Sequence, residues 1–216
     1  MFKHNPKLNK LEQDNRLYQM PVPVIGLTGG IASGKSSVSQ LLRSHGLSII
    51  DADVLVKSIY QHKDIIESIS DLAPTTAING AIDFKKLREV FFSDTTIQTK
   101  IEKLIYSKMP EAFKQSYKTQ PHAKQDFIIY DVPLLFEKNL APLVDHKVCV
   151  WCPREMQIER LTKRDGITQE LALKILDRQW DIDKKKSESD EIIDNSKTKT
   201  ELEHSVSIFI KNLLGN

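Results

Sequence analysis

The segment 24–37 constrains the fold of this chain more than any other part of the sequence. It contains Gly29-x-x-x-x-Gly34-Lys35-Ser36, which is the spacing of a phosphate-binding P-loop. The apolar run before the loop predicts a buried strand, and Val38, Leu41 and Leu42 recur after it at helical spacing. A strand, this loop and a helix in that order predict an α/β fold with a nucleoside triphosphate site.

Each part of the loop has an expected role. Its backbone N–H groups and the start of the following helix would surround phosphate oxygens. Lys35 would reach the terminal phosphates, and the Ser36 hydroxyl would bind Mg²⁺. The alternative is a Gly/Ser turn before an ordinary helix, which the strand and helix context disfavours. The predicted nucleotide-binding residues are Gly29, Gly30, Ile31, Ala32, Ser33, Gly34, Lys35, Ser36 and Ser37.

Composition limits the classes of protein that this chain can belong to. A length of 216 residues with 40% hydrophobic and 28% charged residues predicts one α/β domain with inserted subdomains. The net charge of +2 does not indicate a nucleic-acid partner, and no apolar run is long enough for a membrane span. We expect a cytoplasmic protein, monomeric or weakly homo-oligomeric, with a flexible N-terminal leader over residues 1–22.

The two cysteines, Cys149 and Cys152, form a C-x-x-C pair. Cys149 lies within an apolar strand-like run and Cys152 precedes a proline, so neither lies at the electropositive helix start of a reactive dithiol. A metal site would need two more ligands at similar spacing. The pattern therefore predicts buried thiols.

Apolar runs alternate with helical segments, which predicts a mainly parallel sheet with helices on both faces. Strands are predicted near 24–27, 47–50, 127–130, 147–151 and 191–194. Helices are predicted over 54–70, 83–92, 96–109, 110–118 after a break or kink at Pro110, 154–164, 168–180 and 200–214, with a charged loop over 184–188. The helical stretch between the second and third strands exceeds a normal crossover, which predicts an inserted subdomain.

Three aspartates follow predicted strands, where parallel sheets bind their ligands. Asp131 has the Walker-B position and could bind Mg²⁺ directly or through water. Asp51 and Asp53 are both candidates for the base that accepts a proton from an attacking hydroxyl, and the residues alone do not separate them. Ordinary solvated aspartates at strand ends are the alternative.

The predicted helix over 154–164 is basic. Arg160 and Arg164 are four residues apart and share a helix face, where they could place positive charge over a migrating phosphoryl group. Two helices joined at Asp165-Gly166 are typical of a lid that closes on bound nucleotide. A solvated basic face is the alternative.

Several motifs follow one another along the chain. They are the loop at 26–36, Ile-Asp-Ala-Asp at 50–53, Leu87-Arg88 with Val90-Phe91, Asp-Val-Pro-Leu-Leu-Phe-Glu at 131–137, the stretch 157–166, Gln179 and the stretch 190–196. In this order they resemble the dephospho-coenzyme A kinase family. The resemblance implies ATP-dependent phosphorylation of the ribose 3′-hydroxyl of dephospho-CoA to CoA, which is the last step of coenzyme A biosynthesis. It implies a kinase domain over 23–216, with a core (23–53, 126–151 and 187–216), a CoA-binding insertion (about 54–125) and a lid (about 152–186).

The resemblance also separates the roles of residues that the bare sequence leaves open. It implies that Asp53 is the base with Asp51 in support, and that Arg164, with Arg160 beside it, contacts phosphate. Tyr106-Ser107 stands where the family usually has His-Pro, so a near-neutral proton carrier is missing there. A nucleoside monophosphate kinase and a non-enzymatic nucleotide-dependent switch are the alternatives.

One loop residue also departs from the family. Ala32 stands where the family commonly has glycine. Alanine should be tolerated there if its backbone φ is negative, because only positive φ values strongly favour glycine.

Overall fold

The structure is a computed structural model that describes residues 2–78, 80–119 and 125–215. The chain divides into two compact units, residues 1–51 with 120–216 and residues 52–119. In chain order the elements are β1 (Val24–Gly29), α1 (Lys35–Ser44), β2 (Ile49–Asp51), α2 (Ala52–Ile59), α3 (Lys63–Leu72), β3 (Ala77–Ile78), β4 (Ala81–Ile82), α4 (Phe84–Ser93), α5 (Thr95–Thr119), β5 (Ile128–Asp131), β6 (His146–Trp151), α6 (Arg154–Asp165), α7 (Gln169–Leu176), α8 (Ile182–Ser187), β7 (Glu191–Asp194) and α9 (Lys199–Leu214).

The first unit is built on a five-stranded sheet in the order β2-β5-β1-β6-β7, and every neighbouring pair is parallel. All six residues of the central strand β1 are buried, as expected for a parallel strand that is covered on both faces. One face packs against α1 and α9 through Val38, Leu42 and Phe209. The other is covered by side chains such as Leu135 and Val144. The predicted parallel α/β sheet is confirmed.

The first unit also contains both cysteines. Cys149 and Cys152 are free and buried, as predicted. Burial raises the pKa of the Cys149 thiol to about 12. The thiol therefore stays protonated at neutral pH.

The prediction of a flexible leader over residues 1–22 is wrong for the residues that the structure describes. The Arg16 guanidinium pairs with the buried Asp145 carboxylate, with 2.7 Å between Nε and Oδ2. Leu17 and Met20 are buried in the first unit, and the Asn5 N–H donates to the Leu213 carbonyl at 2.7 Å. The segment is polar overall, so its few buried residues do not form a periodic pattern that would predict packing.

Three helical predictions also change. The segment predicted as one helix over 54–70 is divided into α2 and α3 by a turn in which the His62 N–H bonds to the Ile59 carbonyl. Helix α5 includes Pro110 within one continuous helix, so there is no break there. The predicted charged loop over 184–188 is mostly helix α8, capped by the Asp181 side chain, with Lys184 over the ring of Trp180. Apolar periodicity detects neither an added turn nor a local cation–π contact.

The second unit contains α2 to α5 and the antiparallel hairpin of β3 and β4. Its buried side chains come from all four helices and include Leu55, Ile69, Leu87 and Ile105. This unit covers most of the segment expected as an insertion over 54–125, and its role in binding CoA stays a prediction. Within the described parts of the chain, no helix is both long and apolar enough to cross a membrane.

Candidate functional site

The loop between β1 and α1 is a tightly packed turn whose glycines are required by its geometry. A Cβ on Gly29 would lie 2.6 Å from the Ser33 hydroxyl oxygen and 2.9 Å from the carbonyl oxygen of Val150. Gly34 precedes α1 with a φ of 94°, which is a left-handed conformation, and a Cβ there would lie 1.9 Å from the Asn195 side-chain nitrogen. The folded loop therefore matches the predicted P-loop in its position between strand and helix.

Ala32 does not have the negative φ on which its tolerance was expected to depend. Its φ is 60°, in the left-handed region that favours glycine. For an L-residue this conformation costs about 1–2 kcal/mol. Ile31 and Ala32 pack against a small apolar cluster of Leu161, Ala172 and Leu176 on α6 and α7. Burial of the methyl group against that cluster offsets part of the backbone cost.

Lys35 and Asp131 lie together at the base of the loop. The Lys35 ammonium forms an ion pair with Asp131 Oδ1, and the Ser39 hydroxyl donates to Oδ2 at 2.5 Å. The Asp131 side chain is 2% exposed, so Lys35 provides its counter-charge and the Ser39 hydroxyl adds a hydrogen bond. Ser36 and Ser37 are exposed on the first turn of α1. The structure thus brings the predicted loop cation and the predicted Walker-B carboxylate into contact.

The two remaining aspartates lie on either side of the boundary between the units. Asp51 ends β2 and is in register with Asp131 of the adjacent strand β5. Its carboxylate lies 3.9 Å from a guanidinium nitrogen of Arg43 on α1. Asp53 lies in the first turn of α2 and belongs to the second unit. Asp51 therefore lies at the carboxyl edge of the sheet together with Asp131.

The two predicted lid arginines have different environments. Arg160 Nη2 donates to the Asn195 carbonyl at 3.0 Å, and Asn195 Nδ2 donates to the Ser33 carbonyl at 2.8 Å, so Arg160 is linked to the loop. Arg164 is exposed and forms a two-point pair with its neighbour Asp165, at 2.7 and 3.0 Å. The structure therefore brings Arg160 beside the loop and leaves Arg164 at the surface.

A buried lysine that the sequence does not distinguish also supports the loop. Lys185 on α8 has no exposed side-chain surface, and its ammonium contacts Glu137 Oε1 and the Pro133 carbonyl, each at 2.8 Å. The Gly29 carbonyl lies 3.5 Å away. Glu137 Oε1 also accepts a hydrogen bond from the backbone N–H of Trp180 at 2.9 Å. This ion pair joins the start of the loop, the segment after β5 and α8.

Sequence reasoning assigned no role to Lys185, Asn195, Gln157 or Gln179. Lys185 lies in a run of three lysines, and nothing in that run indicates which one is buried. The other three lie in stretches that carry the family resemblance, so these motifs were the signal that could have identified them as functional residues.

The two residues that depart from the family's His-Pro pair lie on α5. Tyr106 is 43% exposed, and its neighbour Ser107 donates to the Leu104 carbonyl within the helix.

A family model and curated relatives agree on one family. The dephospho-CoA kinase family model matches residues 23–201. A dephospho-CoA kinase of Bacillus licheniformis is 36% identical over 179 residues, which cover 80% of this chain and 88% of the relative. One from Fusobacterium nucleatum is 34% identical over 196 residues, which cover 90% of this chain and 100% of the relative. The crystal structure of TT1252 from Thermus thermophilus matches with a TM-score of 0.77 at 26% identity, over 89% of this chain and 98% of that chain.

Proposed function

The chain belongs to the dephospho-CoA kinase family, and we propose that it transfers the γ-phosphoryl group of ATP to the ribose 3′-hydroxyl of dephospho-CoA. The products are CoA and ADP, and the reaction is the last step of coenzyme A biosynthesis. The observation that carries the proposal is the family match over residues 23–201, which includes the loop with its Lys35–Asp131 pair. The chain is accordingly a kinase, with ATP as its co-substrate.

The loop and its cations bind and orient the triphosphate. Backbone N–H groups of the loop that are not bonded within the protein surround phosphate oxygens, whereas the Ile31 N–H stays on Gln179. Lys35 exchanges its contact with Asp131 for contacts with the terminal phosphates. Support comes from the Lys35–Asp131 pair, which keeps the ammonium at the base of the loop. Arg160 adds positive charge beside the loop, and Arg164 would have to leave Asp165 to contact phosphate.

Asp53 accepts the proton of the attacking 3′-hydroxyl. Its place two residues after β2, in the first turn of α2, supports this role, since parallel sheets bind ligands beyond the carboxyl ends of their strands. Asp51 supports the site through its contact with Arg43. The family resemblance, rather than a measured distance, decides between the two aspartates.

Mg²⁺ accompanies the triphosphate, and the residues around the loop fit it as a partial ligand set. Among the described residues, no group of three or more His, Cys, Asp or Glu side chains could hold a metal ion. Ser36 is exposed at the start of α1, whereas both Asp131 oxygens already have protein partners. Ser36 would thus bind the ion directly, and Asp131, whose Oδ1 is released when Lys35 moves to the phosphates, would bind it directly or through water, with phosphates and water completing the shell. Bound Mg²⁺ neutralises phosphate charge.

The second unit binds the acceptor. Its surface offers aromatic side chains for a nucleotide and a pantetheine arm, since Phe84 is 50% exposed and packs edge-on against Tyr60 with ring centroids 5.2 Å apart. Tyr106 contributes a hydroxyl where the family usually has histidine. We further propose a cytoplasmic, monomeric or weakly oligomeric enzyme, which the two free buried thiols support because such thiols suit a reducing compartment.

An acceptor panel tests the function. Dephospho-CoA, AMP, CMP and UMP are each added with ATP and Mg²⁺, and ADP release is followed together with the mass of the product. We expect rapid ADP release only with dephospho-CoA, and a product carrying a new 3′-phosphate. Release driven only by a nucleoside monophosphate would favour the nucleoside monophosphate kinase, and slow hydrolysis that no acceptor accelerates would favour a nucleotide-dependent switch. Lys35→Ala serves as the background control.

A further inference from the structure

Two glutamines bind both backbone polar groups of one loop residue. The Ile31 N–H donates to Gln179 Oε1 at 3.1 Å, and Gln157 Nε2 donates to the Ile31 carbonyl at 2.6 Å. Gln157 lies on α6 and is 2% exposed, and Gln179 follows the end of α7. We call Gln157 and Gln179 the glutamine clamp. It connects the loop to the two helices expected to form the lid.

The packing around the clamp is tight. A Cβ on Gly30 would lie 2.3 Å from Gln157 Nε2, so the glutamine approaches the loop backbone as closely as glycine allows. Ile31 and Ala32 also pack on the apolar cluster of α6 and α7. Polar contacts from Gln157 and Gln179 therefore hold Ile31, and apolar contacts from α6 and α7 hold both Ile31 and Ala32.

The peptide unit between Ile31 and Ala32 links the glutamine clamp to the direction of the Ala32 N–H. The Ile31 carbonyl and the Ala32 N–H belong to one peptide unit, which is trans, so the two groups point in opposite directions. Holding the carbonyl on Gln157 therefore fixes the direction of the Ala32 N–H, which points away from α6. The left-handed φ of Ala32 is disfavoured for alanine, so this peptide would tend to rotate without a partner.

We propose that Gln157 and Gln179 are positioning residues that hold the 31–32 peptide so that the Ala32 N–H is presented to a phosphate oxygen of the nucleotide. The helices α6 and α7 then support nucleotide binding through the loop backbone, in addition to any contact made by their arginines. This inference rests on the proposed function only in taking the loop as the triphosphate site.

A pair of charge-matched variants tests the clamp. Gln157→Glu and Gln179→Glu each place one carboxylate beside Ile31, so both carry the same added charge. Glutamate at 179 can still accept the Ile31 N–H, whereas glutamate at 157 loses the donor and faces the carbonyl with an oxygen. The dissociation constant for ATP is measured by calorimetry without acceptor.

We expect Gln157→Glu to weaken ATP binding about tenfold or more, which is the range for an unsatisfied buried carbonyl, and Gln179→Glu to weaken it by no more than about threefold. The KM for dephospho-CoA should stay unchanged in both. Equal losses in the two variants would show a charge effect and overturn the proposal.

A neutral variant decides the case if Gln157→Glu does not fold. Gln157→Met has a similar volume, removes the donor without adding charge and suits a buried position. Folded Gln157→Met with wild-type ATP affinity would overturn the proposal, and weakened affinity with an unchanged KM for dephospho-CoA would support it. Because binding is measured without acceptor, failure of the acceptor panel would leave this test valid.

Discussion

The buried carboxylate of Asp145 anchors the N-terminal segment, and its removal provides a quantitative test of that anchoring. Arg16 binds it at two points, with 2.7 Å from Nε to Oδ2 and 3.1 Å from Nη2 to Oδ1. Three backbone N–H groups, of Lys10, Leu11 and Val24, donate to the same carboxylate at 2.8 to 3.1 Å. The residue is 1% exposed, and the Arg16 side chain 4%. Asp145→Ala would therefore leave a buried guanidinium without its counter-charge.

The expected loss follows from this geometry. Removing one partner of a buried, hydrogen-bonded ion pair destabilises a protein by about 3–5 kcal/mol. The three backbone donors would not add their full separate costs, because water can enter where Lys10 and Leu11 reach the surface. For a chain of this length, the loss corresponds to a fall in Tm of roughly 6–20 °C.

Urea unfolding followed by circular dichroism measures the effect as a change in the free energy of unfolding. Lys174→Ala is the matched control, because it breaks an exposed pair with Glu170 that should contribute less than about 1 kcal/mol. The double variant Arg16→Met with Asp145→Leu should recover part of the loss, since apolar residues can replace a buried pair, while the backbone N–H groups stay without their acceptor. An Asp145→Ala chain within about 1 kcal/mol of the wild type, at an unchanged m-value, would refute the anchoring.

Three further predictions concern the catalytic site and the pH dependence of stability. Asp53→Asn should lower turnover about 10²- to 10⁴-fold and leave ATP affinity nearly unchanged, because it removes a proton acceptor. Steady-state kinetics measure the turnover and calorimetry measures the ATP affinity. Wild-type turnover in this variant would show that another residue is the base. Lys35→Ala should weaken both ATP binding and turnover in the same assays, and an unchanged ATP affinity would contradict its phosphate role. Burial raises the pKa of Cys149 to about 12, so the unfolded chain releases this proton first as the pH rises. The contribution of this protonated thiol to the free energy of unfolding is therefore fully present below about pH 9 and should be lost between about pH 9 and 12. In urea titrations, Cys149→Ala should show a smaller decrease in stability over this range. An identical pH profile in the variant would contradict this prediction.

The sequence predicted those features of the fold that depend on local patterns. The β1–loop–α1 unit, the parallel strands and the buried cysteines follow from apolar runs, glycine spacing and strand length, and the structure confirms them. The placement of Asp131 at the carboxyl end of a strand also predicted that it lies near the loop, and its pair with Lys35 agrees. These signals are short in range, because a strand or a helix forms from residues that are neighbours in the chain.

The tertiary structure alone decided which polar side chains find each other. Arg16 and Asp145 are 129 residues apart, and Gln157 and Ile31 are 126 apart, so no local pattern links them. Lys185 looks like a solvent-exposed lysine in the sequence, but the fold buries its ammonium against Glu137 and two carbonyl groups. Such a burial is tolerated only where several distant groups satisfy the charge together. By itself, then, the sequence determined a phosphate-binding loop on a parallel sheet, whereas the path of the whole chain decided which residues hold that loop in shape.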